Sequence, residues 1–259
     1  MNQGVCLAHK DPNFSPPIDF LMITTGCSRY SNAIAISDDE LGEGFAGRSL
    51  SEYLQLFYLI QNPWGLDQCD NFINFFQYRK FLSVYPGLTN SVNMPYAKVV
   101  SGRLAADTFI KDKIGLSPKQ GDLFCGPILS GFRSVAEAYS KYHLVEDYCL
   151  FCASLKEVEG FTGARIKSFV YEKFFIPSPT VSIISKDDII DIAITLHSAW
   201  NVFKHNYFVD RSGYQRRVGG FLLERLHSFL VIERARVGKI NLRPLQLAVV
   251  SESDTVVPT

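Results

Sequence analysis

The sequence predicts an α/β fold, in which a mixed sheet of about five or more strands carries helices on both faces. Short apolar runs at residues 4–8 and 20–24 do not alternate with polar residues, as is typical of strands that are covered on both sides. Longer apolar stretches at residues 50–60 and 189–203 have the length and the start signals of helices. Short strands and longer helices in one chain favour a layered α/β architecture.

The segment from residue 49 to residue 82 contains a helix, a turn and a strand in succession. Ser49 and Glu52 have the three-residue spacing of a capping box, so we expect the helix to begin at residue 50. The sequence NPWG at residues 62–65 ends this helix. The apolar run at residues 72–76 then predicts a short interior strand.

Polar side chains follow that strand directly, in the order Gln77, Tyr78, Arg79 and Lys80. Residues at the carboxyl end of a buried strand face the crevice in which open α/β sheets bind ligands. We therefore expect Tyr78 and Arg79 at the mouth of a pocket, beside a loop that spans residues 38–47.

The loop before the helix has two interpretations. Residues 36–49 contain three glycines and the acidic triplet Asp38, Asp39 and Glu40. Glycines allow a ligand to approach the backbone, and the carboxylates could hold a metal ion or ribose hydroxyls. The spacing alone favours the other interpretation, a solvated loop that leads into the helix, because loops are commonly polar.

Two further serines predict helix starts. Ser134 stands three residues before Glu137, and Ser185 stands three residues before Asp188. Cys149 and Cys152 have the spacing of a metal or redox pair, but no second pair accompanies them, so we interpret them as core residues.

Composition limits the classes of function. Of the 259 residues, 47% are hydrophobic and 20% are charged, as in an ordinary soluble protein. Lys plus Arg and Asp plus Glu both number 26, which argues against general nucleic-acid binding. We expect no signal peptide, no apolar run of the ~18 residues that a membrane helix needs, and reduced cysteines. The expected location is therefore the cytoplasm.

The charge near the C-terminus is locally polarised. Residues 211–243 contain eight Lys or Arg and two Glu. This segment could face a phosphate-bearing ligand, the inner face of an anionic membrane or only solvent. Within it, the helix predicted at residues 220–232 carries Glu224 and Arg225, and we expect at least one of them to turn inward, toward a pocket that contains Glu52 and Arg79.

Several motifs together resemble a family of bacterial glycosyltransferases of capsular and exopolysaccharide synthesis that carry an uncharacterised domain. The chain has CLAHKDP at residues 6–12 where the family has a strand that ends in His-Lys, and DDELG at 38–42 where the family has Asp-Asp-x-x-Gly. It has QYRK at 77–80 for His-Tyr-Arg-Arg, and GFLLERL at 220–226 for Gly-Phe-Leu-Ala-Glu-Arg-Leu. The family's histidine is therefore Gln77 here, which removes a proton donor or metal ligand if that was its task.

The resemblance implies a single-domain nucleotide-sugar-transferase fold of the GT-A or Rossmann type over residues 1–245, with a C-terminal tail at 246–259. It implies transfer of a sugar from a nucleotide-sugar donor to a glycan or lipid-linked acceptor in polysaccharide synthesis. The alternative is a non-catalytic relative that binds nucleotide sugars or glycans, or acts as a scaffold, because the same charges could form a buried ion-pair network.

The resemblance and the available charges together indicate the site residues. Asp147 and Glu224 are the candidates for the catalytic base. The cofactor stays open, with a divalent cation, Mg²⁺ or Mn²⁺, as the candidate and no metal ligand assigned. Donor binding is assigned to nine residues, which are His9, Lys10, Asp38, Asp39, Glu52, Tyr78, Arg79, Arg217 and Arg225.

Overall fold

The computed structural model describes residues 2–37, 44–85, 88–91, 94–109, 116 and 118–251. The strands are β1 (Asn2–Ala8), β2 (Phe20–Thr24), β3 (Ala33–Ala35), β4 (Cys69–Phe76), β5 (Lys80–Ser83), β6 (Thr89–Asn90), β7 (Ala97–Val100), β8 (Asp122–Cys125), β9 (Ser182–Ser185), β10 (Asn241–Pro244) and β11 (Gln246–Val250). The helices are α1 (Tyr53–Gln61), α2 (Trp64–Asp67), α3 (Gly102–Thr108), α4 (Val135–Ser140), α5 (Val145–Ser154), α6 (Gly163–Val170), α7 (Lys186–Tyr207) and α8 (Val218–Arg236). Short 3₁₀ turns lie at Gly44–Ser49, Leu155–Glu157 and Gly213–Arg217.

The strands form two sheets. The larger sheet has seven strands in the order β10-β8-β9-β4-β1-β2-β3. Strands β4, β1, β2 and β3 run parallel to one another, whereas β9 is antiparallel to both β4 and β8. The smaller sheet has four strands in the order β5-β11-β7-β6. The predicted mixed sheet flanked by helices is therefore confirmed.

The two faces of the large sheet are covered differently. Val5 and Leu7 of β1 belong to the core that lies under α1, α4, α5, α6, α7 and α8. Cys6 and Ala8, which point the other way because strand side chains alternate, pack against the smaller sheet and α3. Nearly all described helices thus lie on one face, and a second sheet with one short helix covers the face on which more helices were expected.

The segment that was expected to be a tail begins inside the fold. Gln246–Val250 forms β11, which pairs with β5 on one side and with β7 on the other. Leu247 and Ala248 are completely buried there. An apolar run in the middle of a sheet cannot be a solvated tail; residues 252–259 lie outside the described part of the chain.

The predicted capping box at Ser49 and Glu52 is wrong. Ser49 ends a 3₁₀ turn, α1 begins at Tyr53, and the side chain of Glu52 makes no cap hydrogen bond. The carboxylate of Glu52 accepts a hydrogen bond from Gln77 instead. The other two predicted caps are confirmed, because Ser134 Oγ and Ser185 Oγ accept the backbone N–H groups three residues later.

Candidate functional site

A pocket of about 310 Å³ lies at the carboxyl ends of β1 and β4. From β1 the chain continues to β2 and β3 on one side, and it returns to place β4 on the other side of β1. The boundary between β1 and β4 is therefore a topological switch point, where open α/β sheets bind their ligands. The pocket is lined by Leu7, Ala8, His9, Thr25, Gly47, Arg48, Ser51, Glu52, Leu54, Gln55, Gln77, Tyr78, Arg79, Lys80 and Arg217.

The pocket is strongly cationic. Four of its lining side chains are Arg or Lys, and one, Glu52, is a carboxylate. The cations come from the connection between β4 and β5, the start of β5 and the two 3₁₀ turns Gly44–Ser49 and Gly213–Arg217. A cleft with an excess of one charge sign attracts ligands of the opposite sign, so this pocket favours an anion.

His9 and Tyr78 form one wall of the pocket. Their rings meet edge to face with centroids 4.7 Å apart. The Lys10 ammonium lies 4.6 Å and the Arg79 guanidinium 5.4 Å from the centroid of the Tyr78 ring. Partial burial, with the Lys10, Arg217 and Arg79 cations, lowers the pKa of His9 below its ordinary value, although Glu52 opposes this shift. These surroundings therefore favour the neutral imidazole over the imidazolium ion.

A polar network holds Glu52 in place. Its Oε1 accepts hydrogen bonds from Gln77 Nε2 at 2.8 Å and from Thr180 Oγ1 at 3.4 Å. Gln77 Nε2 also donates to Thr180 Oγ1 at 3.1 Å. Gln77 and Thr180 thus orient the pocket's carboxylate.

Lys80 connects the pocket to helix α8. Its Nζ donates to Ser178 Oγ at 2.8 Å, and the backbone N–H of Ser178 donates to Glu224 Oε1 at 2.8 Å. The other oxygen of Glu224 pairs with Arg225. Burial lowers the pKa of Lys80, and the carboxylates of Glu52 and Glu224 oppose that shift.

Backbone strain is concentrated near this site. Ser51 and Ser178 are the non-glycine residues with positive φ in the described ranges, at 55° and 49°. Ser51 lines the pocket, and Ser178 binds Lys80. Such conformations are uncommon outside glycine and tend to occur at functional sites.

Arg217 is positioned by two contacts. Its Nε donates to Ser51 Oγ at 2.8 Å, and its guanidinium lies 5.4 Å from the centroid of the Phe221 ring. Phe221 belongs to the first turn of α8. These contacts hold an exposed cation at the pocket rim.

The structure brings five of the predicted site residues together in the pocket and places Lys10 beside it. The five are His9, Glu52, Tyr78, Arg79 and Arg217. The predicted pair of Tyr78 and Arg79 lines the same pocket as Gly47, the last residue of the expected loop. Asp38 and Asp39 lie outside the described residues.

The remaining predicted residues are engaged elsewhere in ion pairs. Asp147 is buried and accepts a hydrogen bond from Arg211 Nη2 at 2.7 Å. Arg225 is buried, pairs with Glu224, and lies 4.7 Å from the Phe175 ring centroid. None of Asp147, Glu224 and Arg225 lines the pocket, and Glu224 reaches it through Ser178 and Lys80.

The sequence predicted Lys80 as a cation at the crevice, because it continues the run of polar residues after β4, but assigned it no donor-binding role. The sequence did not indicate Arg48, Ser51 or Gln55 as site residues. Arg48 and Ser51 carry no sequence signal, because only the packing of a 3₁₀ turn against the sheet brings them to the pocket. Gln55 Nε2 donates to Ala8 O, and its Oε1 is buried with no hydrogen-bond partner among the described residues.

Most of the basic segment serves internal contacts. Five of the eight cations in residues 211–243 pair with carboxylates, and these are Arg211, Arg225, Arg234, Arg236 and Arg243. In the described ranges, no three His, Cys, Asp or Glu side chains cluster as a metal site does. No helix in that part of the chain is both long and apolar enough to cross a bilayer.

Comparison with known proteins identifies the fold. No protein-family model matches the sequence, and no curated protein does. The structure is similar to an apo structure of the bifunctional glycosyltransferase WbbM, with a TM-score of 0.76. The match covers 97% of this chain at 17% sequence identity, and it covers 46% of the WbbM chain. The chain has the fold of part of a glycosyltransferase. It spans slightly less than half the length of that protein.

Proposed function

We propose that the chain is a glycosyltransferase that moves a sugar from a nucleotide-sugar donor to a glycan or lipid-linked acceptor in polysaccharide biosynthesis. The observation that carries this proposal is the convergence of four cations at the switch point between β1 and β4. A diphosphate is the anion that such a cluster suits, because fixed positive groups stabilise the charge that develops as it leaves. The fold similarity to a glycosyltransferase supports the same reading.

Three cations of the pocket are placed to bind the diphosphate of the donor. Arg79 and Lys80 follow one strand end, and Arg217 faces them from the turn before α8. We assign these three to the diphosphate, with Tyr78 at the wall beside it. Arg guanidinium groups bind phosphate oxygens in pairs, whereas Lys acts as a point charge.

His9 is the group that suits proton removal from the acceptor. In the transfer step an acceptor hydroxyl oxygen bonds to the anomeric carbon, the bond from that carbon to the diphosphate oxygen breaks, and its electrons leave with the diphosphate. The hydroxyl proton passes to a ring nitrogen of His9, which is neutral because its pKa is lowered. Glu52, held by Gln77 and Thr180, then faces the new imidazolium charge.

Asp147 and Glu224, the candidate bases indicated by the sequence, have other roles in this proposal. Asp147 is occupied by Arg211, and Glu224 by Arg225 and the Ser178 N–H. Glu224 is a positioning residue, because it acts on Lys80 through Ser178. A divalent cation would find one described carboxylate in the pocket, Glu52.

Nucleotide binding is the first experiment. Thermal unfolding is followed with UDP, GDP, ADP and dTDP, and we expect at least one to raise the midpoint, since a ligand at 100 times its Kd adds about 2.7 kcal/mol of stability. Arg217→Ala should weaken that binding about tenfold or more, as loss of a charge-assisted contact does. The matched control is Arg216→Ala, which removes the neighbouring exposed cation that does not line the pocket. A wild type that none of the four nucleotides stabilises would refute the proposal.

Turnover separates an enzyme from a binding protein. Release of nucleoside diphosphate from the matching nucleotide sugar is measured with and without a lipid-linked glycan extract as acceptor. We expect acceptor-dependent release that His9→Gln lowers by about 10²-fold or more, with little change in donor affinity. Binding without any release would favour the non-catalytic alternative, for which the paired states of Asp147 and Glu224 are the supporting observation.

The proposed partners include anionic lipid. Three exposed cations of the basic segment, Arg216, Arg217 and Lys239, form none of its five pairs with carboxylates, and of these Arg216 and Lys239 do not line the pocket at the switch point. A peripheral contact through them predicts salt-sensitive sedimentation with phosphatidylglycerol vesicles, reduced by R216A together with K239A. Sedimentation that neither salt nor this double variant changes would refute that contact.

A further inference from the structure

Exposed aromatic side chains lie beside the pocket. Tyr142, in the turn between α4 and α5, is 71% exposed, and Tyr214, in the turn before α8, is 61% exposed. The two turns are joined, because Gln215 Nε2 donates to Tyr142 O at 3.1 Å. We call Tyr142, His143, Tyr214 and Phe221 the aromatic shelf. Tyr142 and Tyr214 are its exposed members, and His143 and Phe221 are its buried members. Exposed aromatic rings that adjoin one another mark a binding surface more often than isolated exposed rings do.

The shelf is continuous with the pocket through Arg217. Tyr214 and Arg217 are three residues apart in the 3₁₀ turn Gly213–Arg217. A 3₁₀ turn has three residues per turn, so these side chains project from the same face. Both contact the Phe221 ring, Tyr214 at 5.0 Å between centroids and Arg217 at 5.4 Å. A molecule on Tyr214 would therefore adjoin whatever Arg217 holds in the pocket.

The shelf is supported from below. The His143 ring stacks on Phe221 with centroids 4.0 Å apart, and it lies nearly parallel to Tyr214 at 5.8 Å. Burial, with the nearby Arg225 cation, lowers the pKa of His143 to about 4, so its ring is uncharged at neutral pH. Tyr214 thus rests on rings that are already in place, and little conformational entropy remains to be lost on binding.

We propose that the aromatic shelf is the acceptor subsite, on which Tyr214 and Tyr142 bind a sugar ring of the glycan. This proposal rests on the proposed function and specifies its second substrate. The carbon-bound hydrogens on one face of a pyranose form an apolar surface that packs on an aromatic ring, and the tyrosine hydroxyl can bond to the sugar's hydroxyls. Direct transfer requires the acceptor to lie next to the donor, and the shelf adjoins the proposed donor pocket at Arg217.

The test uses an array of immobilised bacterial oligosaccharides. The full chain, assembled into tetramers through an added tag, is applied to this array in the presence of UDP or GDP. We expect the wild type to bind a subset of glycans and Tyr214→Ala to reduce that signal roughly tenfold, as for a central aromatic contact. Tyr214→Phe keeps the ring and should retain binding within about twofold. The matched control is Tyr171→Ala, because Tyr171 is 64% exposed at the end of α6 and does not belong to the shelf.

Each other outcome is decisive. An array on which the wild type binds no glycan, or on which it and Y214A bind equally, would overturn the acceptor subsite. The subsite would also be overturned if Y214A and Y142A left glycan binding intact but abolished sedimentation with phosphatidylglycerol vesicles, since the shelf would then be a membrane contact. Nucleotide binding by the same variants keeps the two proposals separate, because Y214A should bind the nucleotide as the wild type does. A wild type that binds glycans but no nucleotide would refute the proposed donor site while leaving the shelf a glycan-binding surface.

Discussion

Charged residues at the ends of strands and charged residues on helices make different contacts in this molecule. His9, Arg79 and Lys80, which follow or begin strands at the switch point, line the pocket. Asp147 and Arg225, which lie on α5 and α8, are buried and paired with other side chains. The difference shows that position within an α/β fold decides whether a charge can meet a ligand.

The physical reason lies in how each element is covered. Strands β1 and β4 are covered on both faces, so the first residues beyond them are the ones that can point into an open crevice. Helix α8 is buried along most of its length, and a charge on it must find an internal partner. Glu224 and Arg225, the charged pair in the sequence GFLLERL at residues 220–226, are therefore structural in their direct contacts.

The largest expected effect comes from breaking the helix pair. Arg225→Ala leaves Glu224 without its cation in a largely buried setting, so we expect the free energy of unfolding to fall by about 3–5 kcal/mol in urea titrations. The control, Arg165→Ala, removes a more exposed pair with Glu233 and should cost about 1 kcal/mol or less. An Arg225→Ala protein of wild-type stability would mean that helix charges are not structural.

The next largest effect on stability is expected at acidic pH and involves His227 of α8. Burial first, and Arg234 next, lower the pKa of His227 to about 3, from an ordinary value of 6.5. Between these values the unfolded state binds more protons than the folded state, so the free energy of unfolding falls as pH falls. This group alone predicts a loss of about 2 kcal/mol between pH 7 and pH 5.

The histidine prediction is checked by urea unfolding at several pH values. His227→Gln should flatten the pH dependence by that amount, whereas His205→Gln, at an exposed position on α7, should leave it unchanged. Equal slopes for wild type and H227Q would show that another group causes the acid sensitivity.

Lys80 is the case in which a pocket charge opposes stability. Burial lowers its pKa, which means that the fold disfavours its charged form. We expect Lys80→Met to leave stability unchanged or to raise it by about 1 kcal/mol, and to abolish nucleotide binding. Melting curves with and without UDP or GDP measure both effects. A strongly destabilised Lys80→Met protein would place Lys80 with the structural charges of the helices.

The smallest effect on stability is expected at Arg79. Arg79→Ala should change the free energy of unfolding by about 0.5 kcal/mol or less, while weakening nucleoside diphosphate binding about tenfold or more. The measurement is calorimetric titration beside urea unfolding. If the variant loses stability and keeps its affinity, the contrast between strand ends and helices fails at its central residue.

The sequence predicted the structural features that depend only on residues close together in the chain. Strand β4 and the polar residues that follow it at 77–80 were predicted, because a short apolar run forms a strand where both of its faces can be buried. The caps at Ser134 and Ser185 were predicted, because a serine side chain reaches a backbone N–H three residues away without help from the rest of the fold. The same spacing failed at Ser49, because Ser51, with φ of 55°, separates the 3₁₀ turn that ends at Ser49 from helix α1, and the Glu52 carboxylate bonds to Gln77.

By itself, the sequence determined the α/β class, the first strand and the group of polar residues that ends β4, since hydrophobic patterning and chain direction suffice for these. Only the tertiary structure decided that Arg48 and Ser51 join that group, that β11 belongs to a second sheet, and that Asp147 pairs with Arg211. These features depend on contacts between residues far apart in the chain. Such contacts are fixed by how covered surfaces pack together, and no local pattern encodes them.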